Sequence, residues 1–293
     1  MIRDALGDRM KHNYEEVTKT RLTRRMPVII RLDGCHFHTV TKGFKKPFDD
    51  VMIKTMQDTM KYLCENIQGC VLGYTQSDEI TLVLQDFKEL TTDAWFDYEV
   101  QKMCSVSAAM ATFAFNKFFA QNVKDWGDKP AEVTAEGIEE DLNLFNAYEK
   151  VIKNGAYFDS RVFNVPKEEV ANCLIWRQKD AERNSINSLA QSLFSHKSLQ
   201  GLKLKDTLTK IEQEAGVVWG ELPTTYKRGS CCVKVYDRII GGVMNSAGYT
   251  DLTMPETTSD PIKGTWTIDN NIPQFTDDRY YIEKLIYFYE KPL

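Results

Sequence analysis

The chain has 293 residues, a formal net charge of -5 and 42% hydrophobic residues, which is ordinary globular composition. The acidic balance argues against a protein that coats nucleic acid nonspecifically, because such binding depends on phosphate neutralisation. No stretch reaches the roughly 20 apolar residues of a membrane helix, and the N-terminus is too charged for a signal peptide. The seven cysteines show no CxxC spacing, so we expect reduced thiols and a cytoplasmic location.

The first 165 residues alternate between strand and helix patterns. Methionines recur at helical spacing between 48 and 66, and two β-rich runs flank the polar tripeptide Gln76-Ser77-Asp78. In chain order, the predicted elements are a helix near 4–22, a buried strand at 27–34, an amphipathic helix at 48–66, a hairpin at 69–85, a long helix marked by apolar residues from 96 to 113 and a strand at 157–165.

The order βαββαβ predicts an α+β fold with a ferredoxin-type sheet and both helices on one face. Residues 121–156 carry Gly127, Pro130 and an acidic run, and we interpret them as an inserted, largely solvated segment. We therefore expect a core over 1–165 and a helical and mixed C-terminal region over 166–293, packed together as one structural unit.

The C-terminal region is less regular. Residues 176–194 predict a helix whose apolar face carries Ile186, Leu189, Leu193 and Phe194. The run ELPTTYKRGSCCVKVY indicates a loop entering a strand, and TMPETTSDPIKG, at 253–264, indicates a mobile loop. The final run YYIEKLIYFYE fits no single element type.

Carboxylates are predicted to converge at one end of the sheet. Asp33 ends the first strand, just before Gly34, while Asp78 and Glu79 lie at the hairpin tip. In a βαββαβ sheet the first strand lies beside this hairpin. Close carboxylates need a compensating cation, and hard oxygen ligands with open positions suit magnesium bound jointly with phosphates. Each acid alone is typical of an ordinary turn, and their joint placement favours a metal site.

The segment that follows Asp33 can bind phosphate. It offers backbone amides beside Gly34 and then Lys45 and Lys46, although it is not a Walker motif. His36 and His38 alternate, so they could share one face of an extended segment, where packing or hydrogen bonding is favoured over metal ligation. The sequence contains no zinc-ligand spacing and no GxGxxG.

The run RLDGCHFHTVTKGFKKPFD, followed by YTQSDE, resembles the signature of the tRNA(His) guanylyltransferase family and its guanylyltransferase-like group. The resemblance continues more loosely through FDSRVFNVP, WRQKDAERNSI and ELPTTYKRG. It implies a polymerase-palm-like core in a homotetrameric nucleotidyltransferase that adds nucleotides to the 5′ end of tRNA in the 3′-5′ direction. GTP and ATP would be substrates, and two Mg2+ ions would be cofactors.

The resemblance also implies roles for individual residues. Asp33 and Asp78 would hold both metals together with the Gly34 carbonyl, and Glu79 belongs to the same catalytic set. The implied nucleotide-binding residues are Asp33, Gly34, Cys35, His36, Phe37, His38, Lys46, Ser77 and Asp78. The side chains expected to contact tRNA are Arg177, Arg183, Asn184, Lys227 and Arg228.

Two departures from the family pattern bear on the substrate. Residues 182–187 read ERNSIN, where members specific for tRNA(His) carry a run His-Ile-Asn-Asn-Leu-Tyr-Asn, and Cys35-His36 replace Arg-Asn. Both departures favour template-dependent repair of truncated tRNA 5′ ends over dedicated guanylate addition to tRNA(His). Two alternatives are a noncatalytic RNA-binding protein and a palm-type nucleotide cyclase, but the cyclase hairpin has Gly-Gly where Gln76-Ser77 stand here.

Overall fold

A computed structural model of the chain describes residues 4–128, 135–236 and 264–287. The predicted mobile loop at 253–264 lies outside these ranges except for its last residue. Within them, no helix combines the length and apolar character needed to cross a membrane. All seven cysteines fall inside these ranges and are free thiols, as predicted.

The described residues form an antiparallel sheet surrounded by helices. The strands are β1 Val28–Gly34, β2 Cys70–Gln76, β3 Glu79–Leu84, β4 Phe158–Asn164, β5 Ser230–Tyr236 and β6 Gly264–Asp269. The α-helices are α1 Ala5–Met10, α2 Phe37–Val40, α3 Asp50–Asn66, α4 Val100–Gly127, α5 Ala135–Asn154, α6 Lys167–Leu193, α7 His196–Leu199, α8 Leu204–Ala215, α9 Thr224–Arg228 and α10 Tyr280–Tyr287.

The six strands lie in the order β4-β1-β3-β2-β5-β6. The first four reproduce the ferredoxin-type arrangement, in which β3 separates β1 from β2. The predicted α+β fold is therefore confirmed. β5 and β6 extend the same sheet beyond β2, so the C-terminal region contributes two strands to the sheet.

Alternating residues of β1 show how both faces of the sheet are buried. Val28, Ile30 and Leu32 pack in the core beneath α3 and α4, as predicted for two helices on one face. Ile29 points to the opposite face, where it packs with Leu174 of α6 and with residues of α10. C-terminal helices therefore cover the face that the βαββαβ core leaves open.

The N-terminal helix is shorter than predicted. After α1 the chain forms a π-helical turn at Lys11–Glu15 and a 3-10 turn at Glu16–Thr18, none of which buries a side chain. The helix ends there because residues 20 and 22 form backbone hydrogen bonds with residues 100 and 98. The prediction of a helix to residue 22 was wrong at its C-terminal end.

The second long helix begins later than its apolar pattern predicts. Phe96, Asp97 and Tyr98 adopt left-handed backbone conformations, with φ of 51°, 51° and 54°, and α4 starts only after them. Arg24 stabilises this turn through a 3.0 Å hydrogen bond from Nη1 to Asp97 Oδ1. Phe96 therefore lies outside the helix.

The predicted insertion at 121–156 is largely helical. α4 continues to its end at residue 127, and α5 occupies 135–154. Tyr148 and Val151 of α5 are buried in the core shared with α4, so this part of the segment is packed rather than solvated. Phe113, which was predicted for the apolar face of α4, is 56% exposed.

Two C-terminal predictions also change. α6 begins at Lys167, nine residues before the predicted start at Trp176, because Pro166 ends β4 and serves as the N-cap residue of the helix. The helix is 27 residues long, or about 40 Å. Leu193, expected on its apolar face, is partly exposed, whereas Ile186 and Leu189 are buried. The final segment, for which no type was predicted, forms α10 over its described part.

The loop between α2 and α3 is anchored by the buried carboxylate of Asp49. One oxygen caps α3 by accepting the Met52 N–H at 2.9 Å. The other accepts the Lys45 N–H at 3.0 Å and the Tyr148 hydroxyl at 2.7 Å. A single side chain therefore joins the loop, the start of α3 and α5.

We expect Asp49→Ala to lower the free energy of unfolding by about 2–4 kcal/mol, since the change removes a helix cap and leaves a buried hydroxyl without its acceptor. Tyr148→Phe, which removes only one of the three hydrogen bonds, is expected to cost about 1 kcal/mol. Urea denaturation measures both, with Asp141→Ala on the exposed surface of α5 as the control. Equal losses for Asp49→Ala and Asp141→Ala would contradict this account.

Candidate active site

The predicted carboxylates meet at the end of the sheet where β1 stops. A two-residue turn, Ser77-Asp78, joins β2 to β3, and the Gly34 N–H donates to the Asp78 carbonyl at 3.1 Å. Asp33 lies directly opposite Glu79 in the β1–β3 register. The convergence that the topology predicts for these acids is therefore present.

The electrostatics of this pair favour a bound cation. Burial raises the pKa of Asp78, and the neighbouring charge of Asp33 raises it further, while the Ser77 hydroxyl 3.1 Å from Oδ1 acts in the opposite direction. Burial and the charge of Asp33 both destabilise the ionised form of Asp78. A divalent cation beside the two carboxylates would relieve this cost, and the Gly34 carbonyl adds a third hard oxygen donor.

This set of oxygen donors fits a magnesium ion whose ligands come partly from the protein and partly from a substrate. Mg2+ is commonly bound through one or two carboxylates, with substrate phosphates and water supplying the remaining oxygens. Across the part of the chain that the structure describes, no group of three or more His, Cys, Asp or Glu side chains is arranged to hold a metal. Two aspartates and one carbonyl supply only part of an octahedral shell, which would suit a metal that arrives with a nucleotide.

The turn after Asp33 is set by close packing. A Cβ on Gly34 would lie 2.2 Å from the Phe37 ring, so this position requires glycine. The Phe37 ring is buried against Phe115 and Phe158, with centroid distances of 5.4 Å and 5.1 Å. The expectation that the Phe37 side chain lines the nucleotide is therefore corrected. It supports the turn from inside the core, and only its backbone is free to contact a ligand.

The backbone amides of the turn divide into used and available groups. The Gly34 amide bonds to the hairpin, and the Cys35 N–H donates to the Tyr157 carbonyl at 2.9 Å. Within the described residues, this leaves the amides of 36–38, at the start of α2, for a phosphate group. The backbone amides that could bind phosphate are therefore reduced to the three consecutive amides of residues 36–38.

The two histidines were expected in an extended segment, and this prediction was wrong. His36 has a left-handed backbone, with φ of 56°, and its carbonyl accepts from Thr39 at 2.8 Å to form a helical turn. The rings of His36 and His38 still meet edge to face, with centroids 6.2 Å apart. Both side chains are exposed beside the turn.

Lys46 lies exposed on the loop that Asp49 anchors. The loop has a second support from the C-terminal region, because the Phe48 ring stacks on Tyr226 of α9 at 4.6 Å. The Tyr226 hydroxyl donates to Asp50 Oδ1 at 2.6 Å. The loop that contains Lys46 is therefore held in place by contacts with both Asp49 and Tyr226.

Glu79 is held by an ion pair that the sequence did not reveal. Arg177 of α6 donates to both of its carboxylate oxygens, Nε to Oε1 at 2.6 Å and Nη2 to Oε2 at 2.8 Å. Burial raises the pKa of Glu79, and Arg177 lowers it. Arg177 was expected to contact tRNA, but its side chain is only 12% exposed and is also bound to Asp180 at 3.1 Å. The spacing of Arg177 and Asp180, three residues apart on a helix, is the one available signal of its structural role.

The other basic residues expected at tRNA separate into two groups. Arg183 and Asn184 are exposed on α6, with Arg183 paired to Asp180. Lys227 is buried, where its ammonium donates to a backbone carbonyl of the preceding turn, and burial lowers its pKa. Arg228 Nε lies 3.5 Å from a carboxylate oxygen of Glu182. Lys227 and Arg228 therefore join α9 to its surroundings instead of facing solvent, which corrects that expectation.

Comparison with known proteins shows extensive similarity. An uncharacterised protein of Acanthamoeba polyphaga mimivirus, R259, is 30% identical over 243 residues, which is 78% of this chain and 77% of that protein. tRNA(His) guanylyltransferase 2 of Arabidopsis thaliana is 25% identical over 72% of this chain, which spans only 36% of the Arabidopsis protein.

Solved structures match over almost the whole chain. A bacterial tRNA(His) guanylyltransferase (Thg1)-like protein in complex with ATP has a TM-score of 0.74 and 37% identity, covering 97% of this chain and 99% of that one. A bacterial Thg1-like protein in complex with GTP has a TM-score of 0.71 and 34% identity, with coverage of 97% and 100%.

The family model described as Thg1, tRNAHis guanylyltransferase, matches residues 7–166, which contain the strand-end aspartate, the lysine loop and the acidic hairpin. With this match and the carboxylate geometry, the chain belongs to the tRNAHis guanylyltransferase family of nucleotidyltransferases.

Proposed function

We propose that this nucleotidyltransferase adds nucleotides to the 5′ end of tRNA in the 3′-5′ direction, with Mg2+, and that it repairs truncated 5′ ends using the opposite strand as template. The observation that carries the proposal is the meeting of Asp33 and Asp78 at the end of β1, secured by the hydrogen bond from Gly34 to Asp78. The expected homotetramer and cytoplasmic location stay predictions.

In the proposed reaction, the 3′-hydroxyl of the incoming nucleotide attacks the activated 5′ phosphorus of the tRNA. The O3′–P bond forms as the bond to the leaving group breaks, and the hydroxyl proton is released. The leaving group is pyrophosphate from a 5′ triphosphate, or AMP after activation with ATP. Bound magnesium would neutralise charge that develops on the attacking and leaving oxygens. Asp33 and Asp78 would hold the magnesium at the end of β1.

The rest of the turn would hold the triphosphate of the nucleotide. Three consecutive amides at 36–38 and the Lys46 ammonium supply the donors that a phosphate chain requires. The related bacterial structures with ATP and with GTP support a site that accepts both nucleotides. ATP would serve activation, and GTP or another nucleotide would serve addition.

The middle of α6 supports repair over dedicated guanylate addition. In residues 182–187, Ser185 accepts a hydrogen bond from Trp219 Nε1 at 3.1 Å, and Ile186 is buried in the cluster shared with α8. This segment replaces the family's tRNA(His)-associated run, and part of it serves internal packing here. Base pairing with the opposite strand would then select the nucleotide. Dedicated addition to tRNA(His) is the second candidate, since curated relatives carry that name.

We expect Asp33→Ala and Asp78→Ala each to lower kcat by about 10³-fold or more, because each removes a ligand of an ion whose charge stabilisation is worth several kcal/mol. Incorporation of labelled nucleotide into tRNA measures the loss, and circular dichroism checks that the fold is retained. Asp141→Asn serves as the control, because Asp141 is an exposed residue of α5. Turnover at the control level in either alanine variant would move the active site elsewhere.

Lys46→Ala is expected to raise the KM for the nucleoside triphosphate by about tenfold or more, because a charge-assisted phosphate contact is lost. The KM for tRNA is expected to stay nearly constant. Lys42→Ala provides a matched control, since Lys42 is an exposed lysine of the same loop. A larger effect on tRNA than on the nucleotide would exclude Lys46 from the triphosphate site.

Repair and dedicated addition are separated by the choice of tRNA. With a tRNA that lacks its first nucleotide, we expect the nucleotide complementary to the opposite strand to be favoured by about tenfold or more, from the stacking and pairing energy of one base pair. The comparison substrate is full-length tRNA(His) that lacks the extra guanylate, and kcat/KM is measured with each of the four nucleotides. Preference for guanylate regardless of the opposing base would favour dedicated addition.

A further inference from the structure

A half-exposed tryptophan lies on the α6 side of the sheet. Trp176 is 52% exposed, and two guanidinium groups are close to its ring. The Cζ atom of Arg31 is 5.6 Å from the ring centroid, and that of Arg177 is 4.5 Å away. An aromatic ring with adjacent cations is the combination that single-stranded nucleic-acid binders use to hold a base and its phosphate.

The strand register places this ring near the catalytic aspartate. Arg31 and Asp33 lie on the same face of β1, two residues and therefore about 7 Å apart. Their partners on β4 are Arg161 and Asp159. Arg161 is 53% exposed, with Nη2 3.6 Å from Asp159 Oδ1. An exposed cation therefore lies opposite Arg31, on the strand next to the one that carries Asp33.

One nitrogen of this cluster has no hydrogen-bond partner within the described residues. The Nε–H of Arg31 is buried and makes no hydrogen bond within the described residues. A buried donor without an acceptor costs free energy, which is recovered if the Arg31 side chain turns to meet an acceptor on a ligand. Arg177 differs from Arg31 because Glu79 already binds its guanidinium. Arg31 therefore keeps one unused donor, and Arg161 is an exposed guanidinium whose ion pair with Asp159 is long, at 3.6 Å.

The turn proposed to bind the triphosphate and Trp176 lie against opposite faces of the sheet. Phe37 lies under the amides proposed for the triphosphate, and it packs in the core on the α3 and α4 side. Trp176 lies on the opposite side, with α6. A nucleotide held by the α2 turn therefore leaves the tryptophan free for the other reactant, the RNA.

We propose that Trp176, with Arg31 and Arg161, forms a stacking site for an unpaired RNA base next to the reacting 5′ end. The inference rests on the proposed function, since it places RNA beside Asp33. In this site the base stacks on Trp176, and the two arginines bind the adjacent phosphate. In a truncated acceptor stem, the base so held is the template base left unpaired by the missing nucleotide.

The test uses a 5′-phosphorylated RNA hairpin whose 5′ strand is one nucleotide short, and ATP with magnesium as the second ligand. We expect Trp176→Ala to raise the Kd for the hairpin by about 5- to 100-fold, as found when stacking is removed from other nucleic-acid binders. The Kd for ATP is expected to be unchanged, and Trp176→Phe is expected to restore most of the RNA affinity. Phe113→Ala is the matched control, since Phe113 is exposed and has Lys117 6.0 Å from its ring centroid.

Arg161→Gln supplies an independent readout. Loss of one phosphate contact is expected to reduce the slope of log Kd against log salt by about one. Hairpin affinity within about twofold of the parent protein in Trp176→Ala, or equal weakening of ATP and RNA, would overturn the stacking site. Hairpin binding that depends on Trp176 in a protein that incorporates no nucleotide would support the stacking site and overturn the proposed function.

Discussion

The structure depends on holding two like charges together at the end of β1. Asp33 and Asp78 are brought close by a backbone hydrogen bond from Gly34, and burial and mutual repulsion raise the pKa of Asp78. An isolated protein gains nothing from this arrangement, because both effects destabilise the ionised form. A cation that carries a nucleotide would recover that free energy on binding. Under the proposed function, the cost in the free protein would become affinity for the metal–nucleotide complex, and Gly34 and the tight hairpin turn enforce the proximity that this requires.

The hairpin is stabilised by a third acid that has its own partner. Glu79 lies opposite Asp33 but is neutralised by the bidentate contact with Arg177, so it does not add a third uncompensated charge. The same contact attaches α6 to β3, and the N-terminal half of α6 is buried on that face of the sheet. Although the family match ends at residue 166, a C-terminal helix is thus part of the environment of the acidic hairpin. This explains why the region after 166 cannot be treated as an appendage.

Sequence reasoning predicted the sheet and the meeting of the acids because both follow from local periodicity and from a known chain order. It failed where burial decides the role of a side chain. Phe37 and Lys227 lie in motifs that suggest ligand contact, yet both point inward, and the left-handed turn at Phe96 interrupts an apolar pattern that reads as helix. Arg177 is the clearest case, since its partner Glu79 is distant in sequence and the one local signal, the spacing to Asp180, does not show that the side chain is buried.

The sheet itself explains how one strand end can serve two large substrates. Alternation along β1 sends Leu32 into the core beside α2 and sends Arg31 and Asp33 towards α6. A triphosphate at the α2 turn and an RNA strand beside Trp176 would then approach the same carboxylates from different sides, so neither has to displace the other. This geometry suits a transfer in which the nucleotide hydroxyl attacks the RNA phosphate, because the attacking and leaving oxygens must lie roughly in line on opposite sides of the reacting phosphorus. An aromatic platform on the RNA side would fix the template base while the nucleotide is exchanged after each addition.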